Sequence, residues 1–294
     1  MDIREITVAG QKLRIATSAG SAGSLPLLVF NGLGADLEVF HGFAREMGEF
    51  GIGIVTFDVP GIGGSSVPVL PYRFACLAHL VNDVLTALGI QGQVDVAGMS
   101  WGGALAQEFT YRYPKRVRRL LLAATSPGGL AVPGRLSALL KMLNPRLYID
   151  RDYMTRVGGE LYGGKMRTDA EPLKRYGKLL RPVGCSLQLL AVTGWTSAFW
   201  LHTLRQSTLI MMGTDDPIIP VVNGSLLAAL IPRARLVTVA DGHLFLLTSA
   251  HECAPIIAGF LSGEPGARTS GSRASASRNG ASGNGTSANS RRMP

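Results

Sequence analysis

Short runs of Val, Ile, Leu and Phe recur along the chain at residues 27–30, 52–57, 94–97, 120–124, 209–212 and 236–239. They are short and mostly apolar, as suits strands covered on both faces of a parallel sheet. Between them apolar positions fall at helical spacing over 40–50, 74–88, 103–113 and 223–230, with a last helix over 250–261. Residues 5–9 and 12–17, around Gly10, read as an opening hairpin. Alternating strands and helices predict an α/β fold, an open and mostly parallel sheet flanked by helices and joined by right-handed crossovers.

Residues 128–207 interrupt that rhythm with Pro133, Pro145, Pro172 and Pro182, helix-like stretches, and the aromatic group Trp195, Phe199 and Trp200. A segment of that size between two strands is most simply an inserted helical cap, which leaves 1–127 and 208–264 as the core. Residues 265–294 are Ser, Gly, Ala and Asn with dispersed Arg. Such a tail has too few apolar side chains to offset its ordering entropy, and it is predicted to be disordered and basic.

Charge sharpens this division. Only 17% of the 294 residues are charged, yet the formal net charge is +9. Residues 1–127 carry ten basic and ten acidic side chains, and 208–264 carry two and five. The excess lies in 128–207, with twelve basic against five acidic, and in the five Arg of the tail. A neutral-to-acidic core excludes a globally basic nucleic-acid binder. The first residues, Met1-Asp2-Ile3-Arg4-Glu5, lack the apolar stretch of a signal peptide, so a cytoplasmic protein is expected. The uncharged stretch 183–201 holds Ser186, Gln188, Thr193 and Thr196 and is too polar for a transmembrane segment. Cys76, Cys185 and Cys253 are far apart and read as reduced thiols; no metal site and no cofactor is expected.

Gly98-Met99-Ser100-Trp101-Gly102 follows the strand at 94–97 and precedes a helix. This is the setting of a G-x-S-x-G nucleophile elbow, a tight turn that lifts a serine hydroxyl above the sheet. A serine needs a base, and the base an acid, in the order Ser, Asp or Glu, His. His243, in Asp241-Gly242-His243 just past the strand at 236–239, suits the base, whereas His251 falls early in the last helix and His202 in the cap. The acid should follow the strand at 209–212, where Asp215 and Asp216 both qualify. The developing oxyanion needs two donors: the amide of Trp101, and one from Asn31-Gly32-Leu33-Gly34, assigned to Leu33 ahead of Gly34. Gly32-Leu33-Gly34 also half-matches a dinucleotide fingerprint, but Leu37 stands where its third glycine belongs. The segment from Asp58 to Ser66 reads as a loop held by turn-forming residues.

From Leu25 to about Ser262 these motifs resemble the α/β-hydrolase fold. More narrowly they are similar to the intracellular medium-chain-length polyhydroxyalkanoate depolymerases. The likeness rests on the run from Phe57 to Ser66, Pro71-Tyr72-Arg73-Phe74, Ser100-Trp101-Gly102-Gly103-Ala104, Gly194-Trp195-Thr196-Ser197, Trp200-Leu201-His202 and Asp241-Gly242-His243-Leu244-Phe245. The family pattern selects Asp216 over Asp215 as the acid. It implies hydrolysis of a stored aliphatic polyester to 3-hydroxy acids by Ser100, Asp216 and His243, through an acyl-enzyme and without a cofactor. The substrate implied is a hydrophobic polyester or small ester. Trp195, Phe199 and Trp200 would then line the entrance, or else pack the cap's own core. The basic cap suggests a surface that docks on a storage granule. Rival readings are another capped serine hydrolase (an esterase, a lipase or a carbon–carbon bond hydrolase) and a catalytically idle binding protein of the same fold.

Overall fold

A computed structural model describes residues 1–169, 173 and 181–263; the predicted disordered tail lies outside the described residues. Eight strands make one sheet: β1 (Asp2–Val8), β2 (Gln11–Thr17), β3 (Leu27–Phe30), β4 (Ile54–Phe57), β5 (Val94–Met99), β6 (Val117–Ala123), β7 (Ser207–Gly213) and β8 (Ala234–Val239). Their order is β1-β2-β4-β3-β5-β6-β7-β8. The β1–β2 hairpin is antiparallel and joins β4 antiparallel, and all other pairings are parallel.

Every residue of β3, β4 and β5 is buried, which is why those segments are mostly apolar, with Thr56 and Asp95 the exceptions. The period of two still operates inside them. Leu27 and Val29 enter one core with Phe43 and Met47 of α1 (His41–Glu49) and Ile257 and Leu261 of α10 (Ala250–Ser262). Leu28 and Phe30 enter the other, with residues of α2 (Phe74–Ala87), α3 (Trp101–Arg112) and α8 (Val221–Leu230). The start of β6 departs from the sequence pattern, which places the strand at 120–124. Arg118 in β6 binds Asp95 of β5 through Nε–Oδ1 at 2.9 Å, and this paired charge breaks the apolar run without breaking the strand.

Between β6 and β7 the chain leaves the sheet. Among the described residues this connection holds α4 (Leu136–Leu143), α5 (Arg146–Ile149), α6 (Arg151–Tyr162) and α7 (Pro182–Val192). Ala138, Leu147, Met154, Leu161 and Met166 form a third apolar cluster that closes on Ile218, just past β7, and on Leu244, just past β8. A short helix, α9 (Phe245–Thr248), leads from there into α10. No helix among the described residues is long and apolar enough to cross a membrane.

Candidate active site

Ser100 sits between β5 and α3 with φ of 55°, a left-handed conformation that costs a residue with a side chain about 1–3 kcal/mol. The turn is fixed by Ser100 N donating to Ala123 O at 2.9 Å and by Thr125 Oγ1 donating to Ser100 O at 2.8 Å. Helix α3 begins at Trp101, two residues earlier than its apolar pattern predicts, so Gly102 and Gly103 lie inside it. A Cβ on Gly102 would fall against the carbonyls of Phe30 and Asn31. Glycine there lets the helix start directly beside β3 and keeps the turn tight.

The loops after β7 and β8 bring the other two residues together. His243 Nδ1 lies 2.7 Å from Asp216 Oδ2, and both residues are buried. Asp216 Oδ1 accepts from the amides of Ile218 at 2.8 Å and Ile219 at 2.9 Å, which fixes the carboxylate. An ionised carboxylate only accepts, so a neutral imidazole paired with one would donate from Nδ1 and carry its lone pair on Nε2. Asp215 is engaged elsewhere. It accepts from Arg167 Nε at 2.6 Å and Gly164 N at 2.9 Å, and the Arg167 hydrogen bond, before that of Gly164, holds its carboxyl down at about 2. The two neighbours, alike in sequence, have different partners.

The connection between β6 and β7 grips the histidine loop. His243 N donates to Tyr162 O at 2.7 Å, and the Tyr162 ring stacks on the imidazole with centroids 6.4 Å apart. Lys165 N donates to Asp241 Oδ1 at 2.8 Å. Gly164 has φ of 52°, and a Cβ there would strike Gly242 N and Asp241 Oδ1. Asp241 also accepts from Thr248 and Ser249 hydroxyls, each at 2.6 Å. His251 instead pairs with Glu46 on the surface at 3.0 Å.

Ser100 and His243 line one cavity of about 550 Å³, together with Gly32, Leu33 and Gly34. Its aliphatic wall comes from Met142 of α4, Leu147 of α5, and Met154 and Leu161 of α6. Gly34 N donates to Gln188 Oε1 at 2.7 Å and is therefore occupied. Among the described residues the Leu33 and Trp101 amides have no acceptor, which favours Leu33 over Gly34 as a donor.

The aromatic residues expected at the entrance do not line this cavity. A bridge between Gly128 and Thr196, with Ser197 Oγ donating to Gln107 Oε1 at 2.6 Å, pins their segment to the flank of α3. Trp195 Nε1 donates to Glu108 Oε2 at 2.9 Å and its ring meets Phe74, Trp200 stacks on Tyr111 at 4.4 Å, and Phe199 is 74% exposed. The lining residues were signalled otherwise: Met154 and Leu161 stand seven apart, two helical turns, on one face of α6.

Residues 26–156 match the family of the α/β hydrolase fold. Solved structures share the architecture over most of the chain. One is a hydrolase from Pseudomonas aeruginosa PA01, with a TM-score of 0.73 and 24% identity over 87% of this chain and 98% of that one. Another is a meta-cleavage product hydrolase from Pseudomonas fluorescens IP01, with a TM-score of 0.75 and 19% identity over 88% and 97%. The chain belongs to the α/β-hydrolase family. Within that family it is 44% identical over 264 residues to the poly(3-hydroxyalkanoate) depolymerase of Ectopseudomonas oleovorans, spanning 89% of this chain and 93% of that protein.

Proposed function

We propose that this ester-hydrolysing α/β hydrolase cleaves medium-chain-length poly(3-hydroxyalkanoate) to 3-hydroxy acids inside the cell. The observation that carries the reading is the meeting of Ser100 and His243 on the wall of an aliphatic cavity, with Asp216 on the far nitrogen of the imidazole. Such a cavity suits the alkyl side chains of a medium-chain polyester, and the 44% identical depolymerase points to the same substrate class.

In this mechanism His243 Nε2 takes the Ser100 proton as Oγ adds to the ester carbonyl. The carbonyl π electrons move to oxygen, where the Leu33 and Trp101 amides donate to the oxyanion. Asp216 keeps the imidazole oriented and stabilises its protonated form. Collapse of the intermediate breaks the C–O bond, and His243 returns the proton to the departing hydroxyl end of the chain. Water, deprotonated by His243, then attacks the acyl-enzyme and releases the carboxylic acid, restoring Ser100.

The reading extends to the polymer surface. The helices between β6 and β7 act as a cap, and its outer face is the docking side. Supporting this, Leu136, Leu140 and Leu143 of α4 are all exposed, at positions i, i+4 and i+7, while Met142 of the same helix lines the cavity.

The test is product analysis with amorphous medium-chain polyester, beside short-chain polyester and a triglyceride. Release of 3-hydroxy acids mainly from the first is expected, and Ser100→Ala should release none. Preference for either alternative substrate would overturn the polymer assignment, and turnover by Ser100→Ala would overturn the mechanism.

A further inference from the structure

Resting on the serine-hydrolase reading, we infer that Gln188 is a positioning residue for the oxyanion donors. It lies in α7, remote in sequence from both donor segments, and is fully buried. Its side-chain Oε1 accepts from Gly34 N at 2.7 Å, one residue past Leu33. Its backbone carbonyl accepts from Trp101 Nε1 at 2.8 Å. One residue thus ties the loop that carries the Leu33 amide and the indole of the residue that carries the second amide.

The bond to Gly34 also fixes how the amide group is turned. An N–H must meet the oxygen of Gln188, which sends Nε2 the other way, where it is buried with no partner among the described residues. A buried, unsatisfied donor is unfavourable, and an apolar side chain of similar length would remove it only by leaving the buried Gly34 amide without its acceptor. What glutamine supplies at this place is the acceptor that holds Gly34. The helix that presents it is seated closely, since Gly184 of α7 abuts Gly61 and a Cβ there would meet the Gly61 carbonyl. Arg73 Nη1 also fixes the chain beyond, donating to the carbonyls of Leu190 at 2.8 Å and Thr193 at 2.9 Å. Oxyanion donors act through fixed geometry, so a loop freed at Gly34 stabilises the tetrahedral state less while binding the ester ground state as before.

The test compares Gln188→Met and Trp101→Phe with the unaltered protein, using a soluble p-nitrophenyl alkanoate and counting active sites with a fluorophosphonate. Trp101→Phe keeps the backbone amide and an aromatic ring beside Phe74 and deletes the tie to Gln188. For Gln188→Met, kcat per titrated site should fall about 10- to 100-fold, below the ~10²–10³ of losing a donor outright. Its KM should hold within about twofold, and affinity for an alkylboronic acid, which forms a tetrahedral serine adduct, should fall in step with kcat/KM. Trp101→Phe should show a smaller loss of the same form, and it carries the test if Gln188→Met does not fold. An unchanged kcat per site, or a loss of kcat with boronate affinity intact, would overturn the assignment. Ser100→Ala, run beside them, separates the two levels. Turnover there removes the serine reading itself, whereas an inactive Ser100→Ala with an unimpaired Gln188→Met removes only the role of Gln188.

Discussion

Asp215 and Asp216 are consecutive in the chain and hold different partners: Asp216 binds His243 at 2.7 Å, and Asp215 binds Arg167 of the β6–β7 connection at 2.6 Å. Asp216→Asn should lower kcat by about 10³–10⁴-fold, because an amide in that place favours the wrong imidazole tautomer. Asp215→Asn should leave kcat within about threefold and lower Tm by a few degrees, since its ion pair is partly exposed. Steady-state kinetics with a p-nitrophenyl ester and thermal melts of both variants check this; a larger kcat loss at 215 would reverse the assignment.

Gly164 fits against Gly242 with no room for a methyl group, whereas Gly194 has a similar positive φ and open space around it. Gly194→Ala should cost about 1–2 kcal/mol from backbone strain alone. Gly164→Ala should cost at least twice as much and also reduce kcat, because the displaced turn seats the histidine loop. Chemical denaturation and kinetics on the same preparations measure both.

Burial pushes the Asp58 carboxyl up to about 6, against the opposing hydrogen bonds from Gly64 and Leu37 and the charge of Arg14. The folded protein therefore holds this proton more tightly than the unfolded chain, where the carboxyl titrates near 3.8. The contribution to stability is complete below about pH 4 and is lost as pH rises through about 6. Asp58→Asn cannot titrate there, so the Tm of the unaltered protein should fall relative to that of the variant between about pH 4 and 7. Parallel melting curves across that range would count against it.

The width of the cavity at Met154 should set acyl-chain preference. Met154→Trp fills part of the aliphatic wall of the cavity, and kcat/KM for an octanoyl ester should fall about 10- to 100-fold while that for an acetyl ester changes little. A ratio of the two specificity constants reports this directly.

A docking role for the exposed leucines of α4 would separate soluble from insoluble substrates. Leu136→Glu with Leu140→Glu should reduce the rate on polyester latex several-fold and leave soluble ester turnover within about twofold. An equal effect on both substrates would place the change in the site and not at the surface.

The central strands are legible in the sequence because burial on both faces leaves them mostly apolar, and β6 loses its first residues only where Arg118 meets Asp95. Ser100 and His243 stand out because each lies at a strand end in a recognisable turn. Asp216 cannot be told from Asp215 by local chemistry alone, since what distinguishes them is Arg167, forty-eight residues away. The cavity wall is harder still. Three large aromatic side chains draw attention to 195–200, yet Trp195 and Trp200 pack on α2 and α3, Phe199 is exposed, and the lining comes from ordinary Leu and Met. Gln188 gives no sequence signal, because a glutamine in an uncharged helix looks the same whether its partner is solvent or the Gly34 amide.

The grip of Gly163-Gly164-Lys165 on the histidine loop bears on how such an enzyme can diversify. The connection between β6 and β7 is not a detachable module set on a finished catalyst, for it supplies part of the frame that holds His243. Exchanging it whole for that of a distant relative would remove a wall and a hinge pin together. Changes of substrate range are open through side chains of α4 to α6, one position at a time, while the glycine turn stays fixed.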